Sequence, residues 1–149
     1  MNRARVFDHD ITTDEIHPGR FYSTDEKTLV KGLMAGIQEN FYKTIEPEDV
    51  LVAGRYFGMG SGRESAVQAI KLAGIKCVIA ESFSRYFYRN CINHGIYPLE
   101  LEDALSKIKE GDQLEILMEF NMVRNRTQNT EMFIKPLPEM MIKIIMERE

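Results

Sequence analysis

The chain has 149 residues, 44% hydrophobic and 28% charged, with a net charge of −4 and a pI near 5.5. This length suits one domain with its own core, taken as residues 1–149. The acidic balance argues against a nucleic-acid partner, and no apolar run is long enough to span a bilayer. The opening residues MNRARVFDHD carry no apolar signal region, so a cytoplasmic location is expected. The two cysteines, Cys77 and Cys91, are too few for an iron–sulfur cluster, which takes about four Cys ligands. They are expected to be small buried hydrophobes.

In chain order, a short strand ends at Val6-Phe7, and the polar stretch Asp8 to Asp14 follows. His17-Pro18-Gly19 marks a turn. Thr24 or Asp25 is placed to cap a helix with Lys27 to Ile37 as its body, because Leu29, Val30, Leu33, Met34 and Ile37 recur at helical spacing. Phe41 to Pro47 reads as loop. Asp49 to Gly54 is an apolar strand, Gly58-Met59-Gly60-Ser61-Gly62 a glycine-dense loop, and Glu64 to Ala73 an amphipathic helix closed by Gly74. A strand over Ile75 to Ala80, a helix over Ser84 to Asn93 and a strand over Ile96 to Leu99 complete an alternation that demands parallel strands with helices packed on them. Beyond the turn at Lys109 to Asp112, Gln113 to Met118 and Met132 to Lys135 read as antiparallel strands, with a polar segment Asn121 to Thr130 between them. Glu139 to Arg148 is a Met- and Ile-rich helix. The expected fold is therefore α/β, with a parallel core, flanking helices and an added antiparallel β-region.

The segment Gly54 to Glu64 carries the chemistry. Glycines let backbone approach a ligand closely, and a helix start attracts anions through its free N–H groups and dipole. Arg63 adds a fork of donors suited to a carboxylate or phosphate. Ser61 sits amid this positive potential, where an alkoxide is stabilised enough for the hydroxyl to accept a proton. A plain strand-to-helix turn with Ser61 as a local cap is the competing account. A dinucleotide-binding module is a rival reading, with Glu81 about 20 residues downstream as the ribose-binding acid. The fingerprint G-x-G-x-x-G fails, however: from Gly58 its third glycine falls on Arg63, and from Gly60 it falls on Ser65.

Gly58-Met59-Gly60-Ser61-Gly62-Arg63-Glu64 resembles the Gly-x-Gly-Ser-Ser-Arg-Glu loop of the aconitase swivel domain. The resemblance extends to the free-standing small subunits of isopropylmalate dehydratase and homoaconitase. Ala73 to Arg85 is similar to the family's A-G-I-x-A-V-I-A-x-S-F-A-R, and Phe87 to Gly95 to its F-Y-R-N-A-I-N-x-G. Asp10 to Pro18 resembles D-I-x-T-D-x-I-x-P, and Pro136-Leu137-Pro138-Glu139 also has a counterpart. The resemblance implies a swivelling β/β/α domain acting as the small subunit of a two-chain hydro-lyase on a malate-type hydroxy acid. No cofactor is expected in this chain: a 4Fe-4S cluster belongs to a large partner subunit. It further implies Ser61 as the catalytic base and Arg63 as the carboxylate-binding residue, with Gly60 and Gly62 lending backbone close by. A homo-oligomer of the isolated chain is a further expectation; a non-catalytic regulatory relative of the small subunit is the alternative to the catalytic reading.

Two departures from the family pattern bear on this. The loop's second Ser is Gly62 here, and its usual Cys is Met59. After Pro18, where relatives carry Tyr-Leu-Arg-Thr or Tyr-Leu-Val-Tyr, this chain has Phe21-Tyr22-Ser23-Thr24. Ser23 and Thr24 therefore fall at substrate-selecting positions, and a small polar residue there points to an alkylmalate other than, or besides, isopropylmalate. Arg20 either reaches the site from this second loop or is a solvated charge. His9, His17 and His94 show no catalytic spacing and are expected to be structural. Asp10 and Asp14 are expected in a loop held by Asx-turns. Arg85 and Arg89 share a helical face suited to packing or a subunit contact.

Overall fold

The computed structural model describes residues 2–61 and 63–149. Seven strands form one sheet in the order β4-β3-β2-β1-β5-β6-β7. They are β1 (Asn2–Val6), β2 (Val50–Ala53), β3 (Cys77–Ala80), β4 (Tyr97–Glu100), β5 (Gln113–Leu117), β6 (Met122–Asn125) and β7 (Thr130–Phe133). The helices are α1 (Thr13–Ile16), α2 (Glu26–Val30), α3 (Glu64–Leu72), α4 (Arg85–Asn93), α5 (Ala104–Lys107) and α6 (Glu139–Arg148). Among the described residues no helix is long and apolar enough to cross a membrane.

Strand β1 joins the two halves of the sheet. Its second half, Ala4 to Val6, pairs in parallel with Val50 to Val52 of β2, while Asn2 and Arg3 pair antiparallel with Leu114 and Gln113 of β5. The alternating faces of the parallel strands feed two cores, as strand pleating requires. Leu51, Ala53, Val78 and Ala80 pack with Ala66, Val67 and Ile70 of α3 and with Leu33 and Phe41. Val50, Val52 and Ile79 pack on the other face with Leu99, Val123, Ile134 and Ile145.

Two expectations are corrected. The helix expected over Lys27 to Ile37 stops at Val30. Gly32 lies so close to His17 and Phe21 that a Cβ would meet them at 2.5–2.7 Å, and Gly36 abuts the Glu15 backbone equally tightly. The chain turns through Met34 at φ 53 and donates its N–H groups at Met34 and Gly36 to the carbonyls of Ile16 and Glu15. Docking onto α1 thus overrides the helical period, and Ile37 is left exposed. The second correction is β6, within the segment read as polar. Its polar residues are satisfied across the sheet: Arg124 pairs with Glu115 at 3.3 Å and Glu131 at 3.1 Å, and buried Asn125 donates to Asp112 at 2.8 Å.

The start of α1 carries a reciprocal cap. The Thr12 hydroxyl accepts from the Glu15 N–H at 3.2 Å, and the Glu15 carboxylate accepts from the Thr12 N–H at 2.9 Å. The Asx-turns expected around Asp10 and Asp14 give way to this helix, with Asp14 in its first turn.

Candidate functional site

The glycine loop continues the parallel ladder in irregular form. On one side Gly54 N–H donates to Asp8 O at 3.2 Å, Asp10 N–H to Arg55 O at 2.8 Å, Gly58 N–H to Ile11 O at 2.8 Å and Thr13 N–H to Met59 O at 2.7 Å. On the other, Phe57 N–H donates to Ser82 O at 3.0 Å and Ser84 N–H to Phe57 O at 2.9 Å. The Ser82 hydroxyl accepts from Tyr56 N–H, and the Ser84 hydroxyl donates to Gly58 O. Residues 54–59 are therefore held between the extensions of β1 and β3. Phe57 is fully buried and meets Phe87 edge-on, with ring centroids 5.1 Å apart. Gly58, at φ 87, presses on the Phe87 side chain so closely that a Cβ would lie 2.3 Å from it.

This scaffold presents the candidate residues at its tip. Gly60 has φ 118 and leaves only 3.0 Å between a notional Cβ and the Thr13 hydroxyl. Ser61 is exposed. Arg63 has the extended backbone that precedes α3, and its guanidinium pairs with Asp14 of α1. One of its terminal nitrogens lies 3.1 Å from where a Gly19 Cβ would be, so the His17-Pro18-Gly19 turn passes beside it. Arg63 Nε is buried and has no hydrogen-bond partner among the described residues. His17 is fully buried; its Nε2 lies 2.8 Å from Leu29 O, so Nε2 carries the proton and Nδ1 is left as a buried acceptor without a partner. Burial depresses the affinity of this ring for a second proton and the nearby Arg63 charge adds to that, outweighing the Leu29 bond.

The other residues singled out lie elsewhere. Arg20 follows the turn beside Arg63, but its guanidinium is exposed, stacks on the Phe21 ring at 4.7 Å and pairs with Glu39 at 3.3 Å. Ser23 and Thr24 line a groove of about 500 Å³ with Gln68, Lys71 and Leu72 on the flank of α3. The Ser23 hydroxyl accepts the Asp25 N–H at 3.0 Å. They thus face a groove shared with the flank of α3, whereas Ser61 precedes its first turn. Gly62 lies outside the described residues. Glu81 accepts the Leu105 N–H at 3.2 Å, a bond that anchors α5. Asp14, expected in a loop held by Asx-turns, lies in the first turn of α1, and the Thr12-x-x-Glu15 spacing was the available sign of that helix.

Cys77 and Cys91 are buried, and burial pushes both thiols up, Cys77 to about 12. Among the described residues, no group of three or more His, Cys, Asp or Glu is placed to hold a metal ion. These side chains do not fit an iron–sulfur cluster.

A family model described as the aconitase C-terminal domain matches residues 9–104. The 3-isopropylmalate dehydratase small subunit 2 of Archaeoglobus fulgidus is 46% identical over 149 residues, covering 99% of this chain and 89% of that protein. The isopropylmalate/citramalate isomerase small subunit of Methanocaldococcus jannaschii is 41% identical over 144 residues, covering 96% of this chain and 86% of that one. The crystal structure of a 3-isopropylmalate dehydratase from Methanocaldococcus jannaschii superimposes with a TM-score of 0.92 at 42% identity, covering 97% of this chain and 86% of that one.

Proposed function

The chain belongs to the aconitase C-terminal domain family, among the 3-isopropylmalate dehydratase small subunits; from that premise we propose that it is the small subunit of a two-chain hydro-lyase acting on an alkylmalate. The observation that carries this reading is an exposed hydroxyl, Ser61, two residues from a part-buried guanidinium, Arg63, on one braced loop.

Arg63 binds a carboxylate of the substrate through charge-assisted hydrogen bonds, with Asp14 giving way. That contact sets the carbon next to the carboxylate against Ser61, whose oxygen removes its proton. A serine hydroxyl is a weak base, so the step needs nearby positive charge; Arg63 and the start of α3 both supply it. Loss of the hydroxyl on the neighbouring carbon gives the unsaturated acid, and water adds back with the hydroxyl and hydrogen positions exchanged. A 4Fe-4S cluster, held by the large subunit and not by this chain, would supply Lewis acidity toward the substrate when bound.

The side group of the substrate is read as that of isopropylmalate or a related alkylmalate, not necessarily the isopropyl one. Ser23 provides neither the guanidinium that a third carboxylate requires nor the apolar wall that an isopropyl group requires. Its present place in the α3 groove requires the segment after Pro18 to shift, or a neighbouring residue to do the selecting.

The test is hydration and dehydration activity of the chain purified anaerobically with the large subunit encoded beside it, followed by absorbance of the unsaturated acid over a panel of malates. Activity of the pair, silence of the lone chain and collapse of turnover in Ser61→Ala with assembly intact are expected. Full activity of Ser61→Ala overturns the base assignment. Isopropylmalate outperforming every smaller alkylmalate counts against a side group other than isopropyl. An assembled, cluster-loaded pair that turns over nothing in the panel points to a regulatory relative.

A further inference from the structure

Two buried polar atoms without partners lie in the same corner of the molecule, and they are complementary. His17 Nδ1 is an acceptor, because the ring proton is committed at Nε2 to Leu29 O. Arg63 Nε always carries a proton and is a donor. A buried donor or acceptor left alone costs roughly 1–3 kcal/mol, so a donor and an acceptor left alone around the same turn call for a common explanation.

The surroundings fix both groups. His17 is fully buried, with Gly32 packed against the ring at distances a Cβ could not tolerate. Phe21 lies beside it, ring centroids 6.4 Å apart. The ring therefore has little freedom to turn Nδ1 toward another partner. Arg63 crosses the same turn two residues later, against Gly19. It is also close enough for its charge to disfavour protonation of the ring, which keeps the Nδ1 lone pair available.

We propose that His17 is a positioning residue for Arg63: its Nδ1 receives the Arg63 Nε–H, directly or through one buried water, and so aims the terminal nitrogens of the guanidinium at the substrate carboxylate. The bond uses Nε–H, which a bidentate carboxylate grip from the two terminal nitrogens leaves free. It also fixes the plane of the fork, which a pairing with exposed Asp14 alone does not. The catalytic meaning of this contact rests on the hydro-lyase reading above; the contact itself does not.

The two jobs of the ring separate by substitution. Asparagine places an amide oxygen near Nδ1 but cannot reach Leu29 O, whereas glutamine reaches Leu29 O but leaves nothing at Nδ1. The first readout is the Arg63 Nε–Hε cross-peak of the isotope-labelled full chain, assigned with Arg63→Lys, which needs no activity. A slowly exchanging peak retained in His17→Asn and displaced in His17→Gln is expected; a peak indifferent to His17→Gln overturns the contact.

The second readout is kinetic, in the assembled pair. His17→Gln is expected to raise KM about tenfold with kcat little changed, the loss of one hydrogen bond to a charged group, and His17→Asn to recover most of it. The opposite ranking, glutamine restoring KM and asparagine not, assigns the ring to Leu29 alone and overturns positioning. Should both variants fail to fold, Arg63→Lys, which lacks Nε, is expected to move the His17 Nδ1 nitrogen resonance; an unmoved resonance overturns the proposal. If the wild-type pair is inactive, the hydro-lyase reading fails while the cross-peak still decides the contact.

Discussion

Arg63 and Asp14 form an ion pair that ties the residue preceding α3 to the first turn of α1. The Asp14 carboxylate is largely exposed, and exposed pairs of this kind contribute about 0–1 kcal/mol. The pair therefore holds the guanidinium in place without contributing much to folding, and an incoming carboxylate can replace Asp14 at little cost. Arg63→Gln is expected to leave thermal stability nearly unchanged, since the ion pair it removes is largely exposed. The same substitution is expected to raise KM of the assembled enzyme by about tenfold or more. Thermal unfolding and a substrate titration check this together; an unaltered KM removes Arg63 from the binding site.

The glycines of the loop are under unequal constraint. Gly58 combines φ 87 with a Cβ position 2.3 Å from the buried Phe87 side chain, whereas Gly60, at φ 118, faces only the Thr13 hydroxyl at 3.0 Å. Gly58→Ala forces Phe87 out of the aromatic cluster and strains the backbone, so a loss of about 3 kcal/mol or more is expected. Gly60→Ala is expected to cost about 1–2 kcal/mol from backbone strain and to act chiefly on turnover, because it displaces the residue next to Ser61. Chemical denaturation of each variant, set against its specific activity, checks the order. Equal destabilisation would show that the loop tip is as tightly packed as its base.

The sequence exposed the parallel core well because β2, β3, α3 and α4 are local apolar patterns bounded by glycine and capping residues. Ser84, for example, caps α4 as its position suggests. It concealed β6, whose Arg124 and Asn125 look like loop residues until Glu115, Glu131 and Asp112 are placed across from them. It likewise concealed the end of α2, because the contact of Gly32 and Gly36 with α1 is tertiary. At the candidate site, Ser61 and Arg63 could be singled out because they fall in a glycine-dense loop that resembles the family's. Asp14 and His17 could not, since their significance comes only from which side chain folding brings beside them.

Acid should weaken the fold through two histidines. Burial lowers the proton affinity of His17, with Arg63 adding to it, and burial also lowers that of His94 despite Glu64 at 3.9 Å. In both cases the folded value lies below the unfolded one of 6.5, so the unfolded chain takes up protons first. Their contribution is fully present above the unfolded value and is lost as pH falls through the lowered folded values. The melting temperature is expected to decline as pH falls below about 6.5, and His94→Gln to remove part of that decline. Asp112 does not account for it. Its carboxyl is held below 3.8 because the Lys109 N–H, Asn125 and Gln128 together outweigh its burial, so its loss comes at lower pH. A melting temperature flat across this range in the wild type would show that both rings charge without penalty in the fold.

Asp49, at the entry to β2, tests the joint between the two halves of the sheet. Its buried carboxylate accepts from Arg3 Nε at 3.1 Å, Arg3 Nη2 at 2.7 Å and the Glu46 N–H at 3.0 Å, and it lies 3.6 Å from Arg5. Both guanidiniums also donate to Thr44 O, and Arg5 lies over the buried Phe41 ring at 4.6 Å. One carboxylate thus fastens β1, the strand shared by the parallel and antiparallel regions, to the start of β2 and to the turn at Phe41–Thr44. Asp49→Ala leaves Arg5 buried and short of its innermost counter-charge, for an expected loss of about 3–5 kcal/mol. Glu46→Ala, removing a 68% exposed partner 3.7 Å from Arg3, should cost about 0–1 kcal/mol. Urea unfolding of the two variants measures the difference directly. A loss below about 1 kcal/mol for Asp49→Ala would mean that the remaining partners, Thr44 O and Glu110, suffice to neutralise Arg5.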